Sequence, residues 1–427
     1  MQSVVDVMAV RMSTELKSTF TPLMKRAMLS PPVDPLVVFD DITDSLPYQD
    51  GTSMFKTSTH IGQRKLFLSE LQFLTNEIPA GEPATVVYAG AAPSNHTGFL
   101  SDLFPHIKFI LVDPNAFDIY GAKPIVLQPI DGPEMNIQRA RDLIEHAHRG
   151  NDKLYIINDL FTLDLANAIA EIIPYNYFIS DIRTNTIDSG EPDSLDILWN
   201  LSQQYNWMCI MDPVRSMLKF RHPFYNDNPK VFMEKCMLSP YVDDFELSRA
   251  YGIDFVENFK TRELVYWNGT INLQAWCGSS STEARLVTDC REIKNWGTSQ
   301  EYEDRYFYYN TIERCYRPHK NRNANPSIGF DHCNDCALEN HVWVNYLDAY
   351  PHMAPHGGVC ELVAKLSHNT HRPLSRGDHG AFFKMYPTRL LFDAAQEHNR
   401  ALTSKQQPQR SLINPKARFV PARKFKK

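Results

Sequence analysis

"ATVVYAGAAPSNHTGFL", residues 84–100, sets the reading of the whole chain. Its first half is a short apolar run of the kind that makes a buried strand, and it ends on Gly90. Ala91, Ala92, Pro93 and Ser94 then lead into a helix expected over 97–104. Small residues let a ligand approach the backbone, and the first turn of a helix offers free N–H groups. Alone, one glycine with alanines and a serine fits an ordinary tight turn as well as it fits a ligand loop.

The same rhythm repeats outward from this stretch. "HIKFILVDP" reads as a second strand, "KLYIIND" as a third, "YNYFISDIR" as a fourth and "YNWMCIMDP" as a fifth. Helix-like segments at 134–148, 162–172 and 193–204 separate them. The alternation implies βαβ units and an α/β fold with a doubly wound, mostly parallel sheet. Upstream, "IGQRKLFLSELQFL" (61–74) sets Leu66, Phe67, Leu71 and Leu74 on one helical face. "TRELVYW" (261–267) reads as a further strand, with "INLQAW" as its partner.

These patterns divide the chain into four parts. Residues 1–45 form a helical lead-in with a proline-containing linker, "LSPPVDPL", and 46–292 form the core. Residues 293–385 are an aromatic-rich helical part packed on that core, and 386–427 a loosely ordered tail. Between Lys405 and Lys427 the tail carries eight Lys or Arg and no Asp or Glu, which suits RNA contact or nuclear import.

Composition narrows the function classes. Hydrophobic content of 43% and charged content of 22% are those of a soluble globular protein. The net charge of −6 does not suggest nucleic-acid binding by the chain as a whole. No uninterrupted apolar run reaches a membrane span, so no membrane partner is expected. "MQSVVDVMAVRMSTELKSTF" is too polar and acidic for a signal peptide. Eight cysteines scattered through a large chain read as reduced thiols in an intracellular compartment. In "HCNDCALENH", Cys333 and Cys336 are spaced C-x2-C with His341 behind, but Tyr346 stands where a knuckle needs another cysteine. His352, His356 and Cys360 restore no standard spacing, so no metal is assigned.

In an open parallel sheet the chemistry lies beyond the carboxyl ends of the strands. The second strand ends in Asp113, some twenty residues after the glycine turn, where a carboxylate can bind ribose hydroxyls. The fourth ends in Asp181 and Arg183, and the fifth leads into "MDPVRSMLKFRHPF" with Lys219. Lys65 precedes the first strand, and Glu263 opens "ELVYW". A cation such as Lys219 just past a strand ordinarily contacts phosphate. Arg215 and Arg221 keep that reading or a structural one.

The order Lys65, Asp181, Lys219, Glu263 is the K-D-K-E arrangement of Rossmann-type RNA ribose 2′-O-methyltransferases. The chain resembles the poxvirus-type family of cap-specific mRNA (nucleoside-2′-O-)-methyltransferases that double as the poly(A) polymerase regulatory subunit. Large DNA viruses and kinetoplastids have members of that family. The shared segments are "LPYQ" (46–49), "GQRKLFLSEL" (62–71), "ATVVYAGAAPSNH" (84–96), "LVD" (111–113), "SDIR" (180–183) and "GEP" (190–192). "DPVRSMLKFRHPF" (212–224), "MLSPY" (237–241), "YEDRYFYYNTI" (302–312) and "GFD" (329–331) continue the match, from Leu46 to Tyr350. There are three departures. Ser94 replaces a glycine, an insertion separates Gln49 from Gly62, and extra residues precede the fourth tetrad member. Glu263 fits that place best, in "TREL-Y", with Glu246 in "DDFELSR" as the alternative.

The resemblance implies a Rossmann-like S-adenosylmethionine-dependent methyltransferase fold with N- and C-terminal helical additions. It implies methyl transfer to a 2′-hydroxyl near an mRNA cap. Lys219 would be the base or orienting group, Asp181 and Lys65 would position it, and Glu263 would complete the network. Gln63, Tyr88, Gly90, Ala92, Pro93, Ser94, His96, Asp113, Leu160 and Asp181 would hold S-adenosylmethionine. Phe224, Asn226, Asp227 and Glu303 would bind the cap and Arg183 the RNA, an N7-methylated guanine being a cationic ring suited to aromatic and acidic partners. Implied partners are capped mRNA and poly(A) polymerase or other capping-machinery subunits. The implied location is the nucleus, or the cytoplasm including viral factories. A non-catalytic RNA-binding polymerase subunit and a small-molecule methyltransferase are the alternatives.

Overall fold

The computed structural model describes residues 14–48, 60–184, 192–225, 228–278, 281–372 and 374. Asn226 and Asp227, residues 49–59 with most of the insertion between Gln49 and Gly62, and the basic tail lie outside them. Among the described residues the first elements are α1 (Thr14–Leu29), α2 (Gly62–Glu77) and β1 (Ala84–Ala89). α3 (Thr97–Leu103), β2 (Ile107–Val112), β3 (Ile125–Gln128), α4 (Ile137–Arg149), β4 (Leu154–Ile157), α5 (Leu163–Ile172) and β5 (Asn176–Ser180) follow. Next come α6 (Ser194–Met211), β6 (Arg215–Phe220), α7 (Pro229–Cys236), α8 (Tyr241–Tyr251) and α9 (Phe255–Thr261). β7 (Glu263–Trp267), β8 (Thr270–Asn272), β9 (Ala284–Thr288) and β10 (Ile293–Thr298) precede α10 (Ser299–Tyr308), α11 (Asn334–Ala349) and α12 (Gly358–Asn369).

Eight strands form one sheet in the order β3-β4-β2-β1-β5-β6-β9-β8. The first six are parallel, while β9 and β8 close one edge antiparallel. Alternate residues of β1 face opposite layers, as the pleat dictates. Val87 and Ala89 pack with residues of α4, α5 and α6, whereas Val86 and Tyr88 pack with α2, α3, α11 and α12. Both faces are covered, which is why these strands read as continuous apolar runs. The chain runs from β1 to β2 on one side and later places β5 on the other. The β1/β5 junction is therefore the topological switch point, where such sheets open a ligand crevice.

Two expectations fail. "YNWMCIMDP" is not a strand: Tyr205–Met211 is the end of α6, and the strand is β6, Arg215–Phe220. A capping box of Asp193 and Asp196 starts α6, and Asp212, in a left-handed conformation, ends it. α6 is buried on almost every side, so its apolar residues run continuously and periodicity cannot tell it from a strand. The faces turned from the sheet carry buried polar groups instead. Ser202 Oγ and Asn206 Nδ2 both donate to Asp244 O on α8. The second failure concerns "INLQAW": β8 pairs with β9, and β7 pairs with β10 in a separate two-stranded sheet.

Helix α2 is tied to α11 by a fully buried ion pair. Arg64 donates through Nε to Glu339 Oε2 at 2.8 Å and through a terminal nitrogen to Oε1. Trp276 Nε1 and Trp343 Nε1 donate to the same carboxylate at 2.8 and 3.2 Å. With these donors a buried charge pair is tolerated, whereas removing either partner would strand the other. The clamp fixes the first turn of α2, and that turn presents Lys65.

Candidate active site

The glycine turn after β1 touches the end of β5. Gly90 has φ +76°, and a Cβ there would lie 2.8 Å from backbone atoms of Asp181 and Ile182, so only glycine fits. Ser94 also takes a positive φ, +53°, where the family resemblance expects glycine. The hydroxyl compensates locally, since Ser94 Oγ donates to Ala91 O at 2.5 Å. The substitution is thus accommodated within the loop. Asp113 reaches back to this turn: Oδ2 accepts from Ala92 N at 3.1 Å, and Oδ1 from Asn115 N and Nδ2 at 2.8 and 2.9 Å. Leu160, just past β4, is 63% exposed.

Behind the turn lies a buried polar chain. Tyr88 Oη donates to Glu70 Oε1 at 2.8 Å, His96 Nε2 lies 2.6 Å from Glu70 Oε2, and His96 Nδ1 lies 3.0 Å from Gln63 Oε1. The orientation of Gln63 is therefore set from the interior.

Beyond the switch point a charged cluster assembles from four elements. Lys65 comes from α2, Asp181 from the end of β5, Lys219 from β6, and Glu283 from just before β9. Lys65 Nζ lies 2.8 Å from Glu283 Oε1. Lys219 Nζ lies 3.0 Å from Asp181 Oδ1 and 3.5 Å from Glu283 Oε2. Two arginines join: Arg183 is 2.7 Å from Glu283 Oε2, and Arg285 is 2.7 Å from Asp181 Oδ1 and 3.4 Å from Glu283 Oε1. Because β6 and β9 run antiparallel, Lys219 and Arg285 are direct cross-strand partners. Like charges opposite one another are unfavourable, and the two carboxylates between them offset the repulsion.

The structure thus brings Lys65, Asp181 and Lys219 together but supplies a different fourth member. Glu263 begins β7 in the small sheet, where its Oε2 accepts from Asn295 Nδ2 at 2.7 Å. Glu246 is exposed on α8. Sequence reasoning missed Glu283 and Arg285. Their signal was the i, i+2 spacing in "TEARLVT", which puts both side chains on one face of a strand. Lys219 itself lies in a sheet ladder rather than a loop, with 12% of its side chain exposed.

Four cations (Lys65, Lys219, Arg183, Arg285) face two carboxylates (Asp181, Glu283), a formal excess of two positive charges. Burial lowers the Lys219 ammonium below the usual lysine range; Asp181 and Glu283 pull it back, while Arg183 and Arg285 push it down. Burial alone would raise both carboxylates. Arg285 and Lys219 hold Asp181 low, and Lys219, Lys65 and Arg285 hold Glu283 well below its ordinary value.

The loop after β6 carries Phe224, the aromatic residue expected at the cap. The Arg221 guanidinium lies over the Phe224 ring, 3.9 Å from its centroid, so one ring face is already covered by a cation. Glu303 is buried on α10. Next to it Tyr302 stacks on His222, with centroids 4.4 Å apart, which holds α10 against this loop. His222 is fully buried and neither ring nitrogen has a hydrogen-bond partner; burial pushes it down to about 3. A group whose folded value is depressed stays neutral in the native state. Its contribution is present above pH 6.5 and is lost as the pH falls towards 3. Roughly 2 kcal/mol should disappear between pH 7.5 and 5. Urea unfolding of His222→Leu at both pH values should show a shallower loss than wild type; an equal loss would clear His222 of this role.

A doubly wound sheet with a glycine turn at its switch point, and a lysine–carboxylate cluster beyond it, defines a Rossmann-like fold of the methyltransferase type. Residues 33–341 match the family model described as Poly A polymerase regulatory subunit, and the chain belongs to that family. It is 31% identical over 198 residues to the cap-specific mRNA (nucleoside-2′-O-)-methyltransferase of Myxoma virus (strain Lausanne), covering 44% of this chain and 51% of that protein. The protein of the same name from Fowlpox virus (strain NVSL) is 28% identical over 197 residues, covering 43% of this chain and 54% of the relative. The matched stretch thus spans about half the length of these curated relatives. Among the described residues no helix is long and apolar enough to cross a membrane.

Proposed function

We propose that this chain transfers a methyl group from S-adenosylmethionine to the 2′-hydroxyl of a cap-proximal nucleotide in capped mRNA. The observation that carries the reading is Lys219 Nζ, held between Asp181 and Glu283 in a cluster with net positive charge beside the glycine turn. The residues around that turn fit the donor. Asp113 places a carboxylate behind the turn, Leu160 an exposed apolar surface for the adenine, and Gln63 a fixed amide. When bound, the donor supplies an already electrophilic methyl group. The protein must therefore hold the 2′-hydroxyl in line with it and remove one proton.

Lys219 accepts or steers that proton, and its lowered value makes the neutral amine more accessible than in a free lysine near ~10.4. Asp181 and Glu283 fix the amine, Lys65 anchors Glu283, and Arg285 anchors Asp181. The excess positive charge favours a developing alkoxide and the adjoining phosphates. The cap guanine binds near Phe224 and Glu303, displacing Arg221 from the Phe224 ring. Such a protein would work where transcripts are capped, in the nucleus or alternatively the cytoplasm. The matching family is described as a poly(A) polymerase regulatory subunit, but no feature of the site favours that role over methyl transfer.

The test is incubation with labelled donor and matched capped and uncapped RNA, followed by mapping of the modified nucleotide. Label should appear on a ribose and only with capped RNA. Glu303→Ala should erode the preference for capped RNA by roughly tenfold or more, the loss of one charge-assisted contact. Label on a base, or equal use of both RNAs by the wild type, would overturn the reading.

A further inference from the structure

The turn that leads into α11 gathers three side chains that the cluster above does not use. Cys333 caps α11, and its Sγ accepts the Cys336 N–H at 3.4 Å. Asp331 folds back over the same turn, its Oδ1 accepting the Cys333 N–H at 2.8 Å. A carboxylate oxygen of Asp331 and the two sulfurs of Cys333 and Cys336 all lie within 4.8 Å of one another. The turn is held from both sides. Asn321 Nδ2 donates to Asp331 O at 2.7 Å, and Asn325 and Phe330 exchange backbone hydrogen bonds.

This grouping is chemically specific. Sulfur is a poor helix cap where serine, threonine or aspartate would serve better, so capping alone does not account for Cys333. Two thiolates and a carboxylate form a donor set of intermediate softness, which suits zinc and not magnesium or calcium. Zinc–sulfur bonds near ~2.3 Å and zinc–oxygen bonds near ~2.1 Å put ligand atoms about 3.5–3.8 Å apart. The three ligand atoms already lie within 4.8 Å of one another, at most about 1 Å beyond that geometry. The C-x2-C spacing read along the sequence looks incomplete because its third member precedes it.

We propose that Asp331, Cys333 and Cys336 bind one zinc ion, with the fourth position taken by solvent. The ion fixes the N-terminal end of α11, the helix whose Glu339 clamps Arg64 on α2. It is a structural site, independent of the reaction proposed above.

The full-length chain, expressed with zinc supplementation and desalted, should contain about one zinc per chain by elemental analysis. The double substitution Cys333→Ser, Cys336→Ser should reduce that content at least tenfold, and Asp331→Asn should weaken retention against a chelator. Should the double variant fail to fold, the wild type decides alone: loading with cobalt(II) should produce a thiolate-to-cobalt charge-transfer band. Wild-type protein without zinc above the desalted control and without that band overturns the proposal. So does a folded double variant that keeps the wild-type zinc, or a Cys333–Cys336 disulfide in freshly prepared wild type.

Discussion

Lys219→Ala is expected to bind the methyl donor as the wild type does and to lose methyl transfer by about 10²–10⁴-fold, the range for removing a positioned proton-transfer group. The contacts proposed for the donor lie on the β1 turn, Asp113 and Leu160, and the lysine comes from β6. Binding and chemistry should therefore separate. A pH profile sharpens the test. If the neutral amine does the work, wild-type single-turnover rate rises with pH through the Lys219 value, which burial and two arginines set below that of free lysine. The variant should be flat over the same range. A variant that turns over like the wild type would remove Lys219 from the mechanism and return it to phosphate contact.

The second large effect distinguishes two glutamates. Glu283→Gln leaves Lys65, Lys219, Arg183 and Arg285 with Asp181 as the one carboxylate among the six charged groups described. Uncompensated, largely buried charge of this kind costs on the order of 2–5 kcal/mol, and misplacing Lys219 should cost a further hundredfold in rate. Glu263→Gln touches a half-buried strand end and one bond to Asn295, so its stability should change by no more than about 0.5 kcal/mol. Thermal unfolding and kcat/KM on capped RNA for the pair decide the matter. An inactive Glu263→Gln beside an active Glu283→Gln would reverse the assignment. Glu283→Asp is a useful intermediate, since it keeps the charge and shortens the reach to Lys65 and Lys219.

Much of the site was legible because it lies where strands end. Gly90, Asp113 and Asp181 each follow an apolar run closely enough that strand period and turn chemistry locate them without tertiary information. Lys65 was legible for a similar reason, one turn into a well-patterned helix. Lys219 was found with the wrong support. The buried helix α6 imitated a strand, which pushed the true strand β6 into an apparent loop. Its lysine therefore looked like a mobile phosphate contact when it is a rigid member of a ladder.

Local pattern along the chain settles the alternation of strands and helices, the glycine turn, the acidic strand ends and the order lysine–aspartate–lysine. Each depends on neighbours within a few residues and on burial of one or two faces. The fourth carboxylate is a matter of sheet assembly. β9 inserts antiparallel beside β6, opposing Arg285 to Lys219 and bringing Glu283 to Lys65, whereas β7 leaves the main sheet with Glu263. Glu263 opens β7 and Glu283 precedes β9, and the i, i+2 spacing of Glu283 and Arg285 marks a shared face without naming the strand beside it. Strand neighbours are chosen by hydrogen bonding and packing between segments far apart in the chain, and that choice places one carboxylate among four cations and the other at the surface.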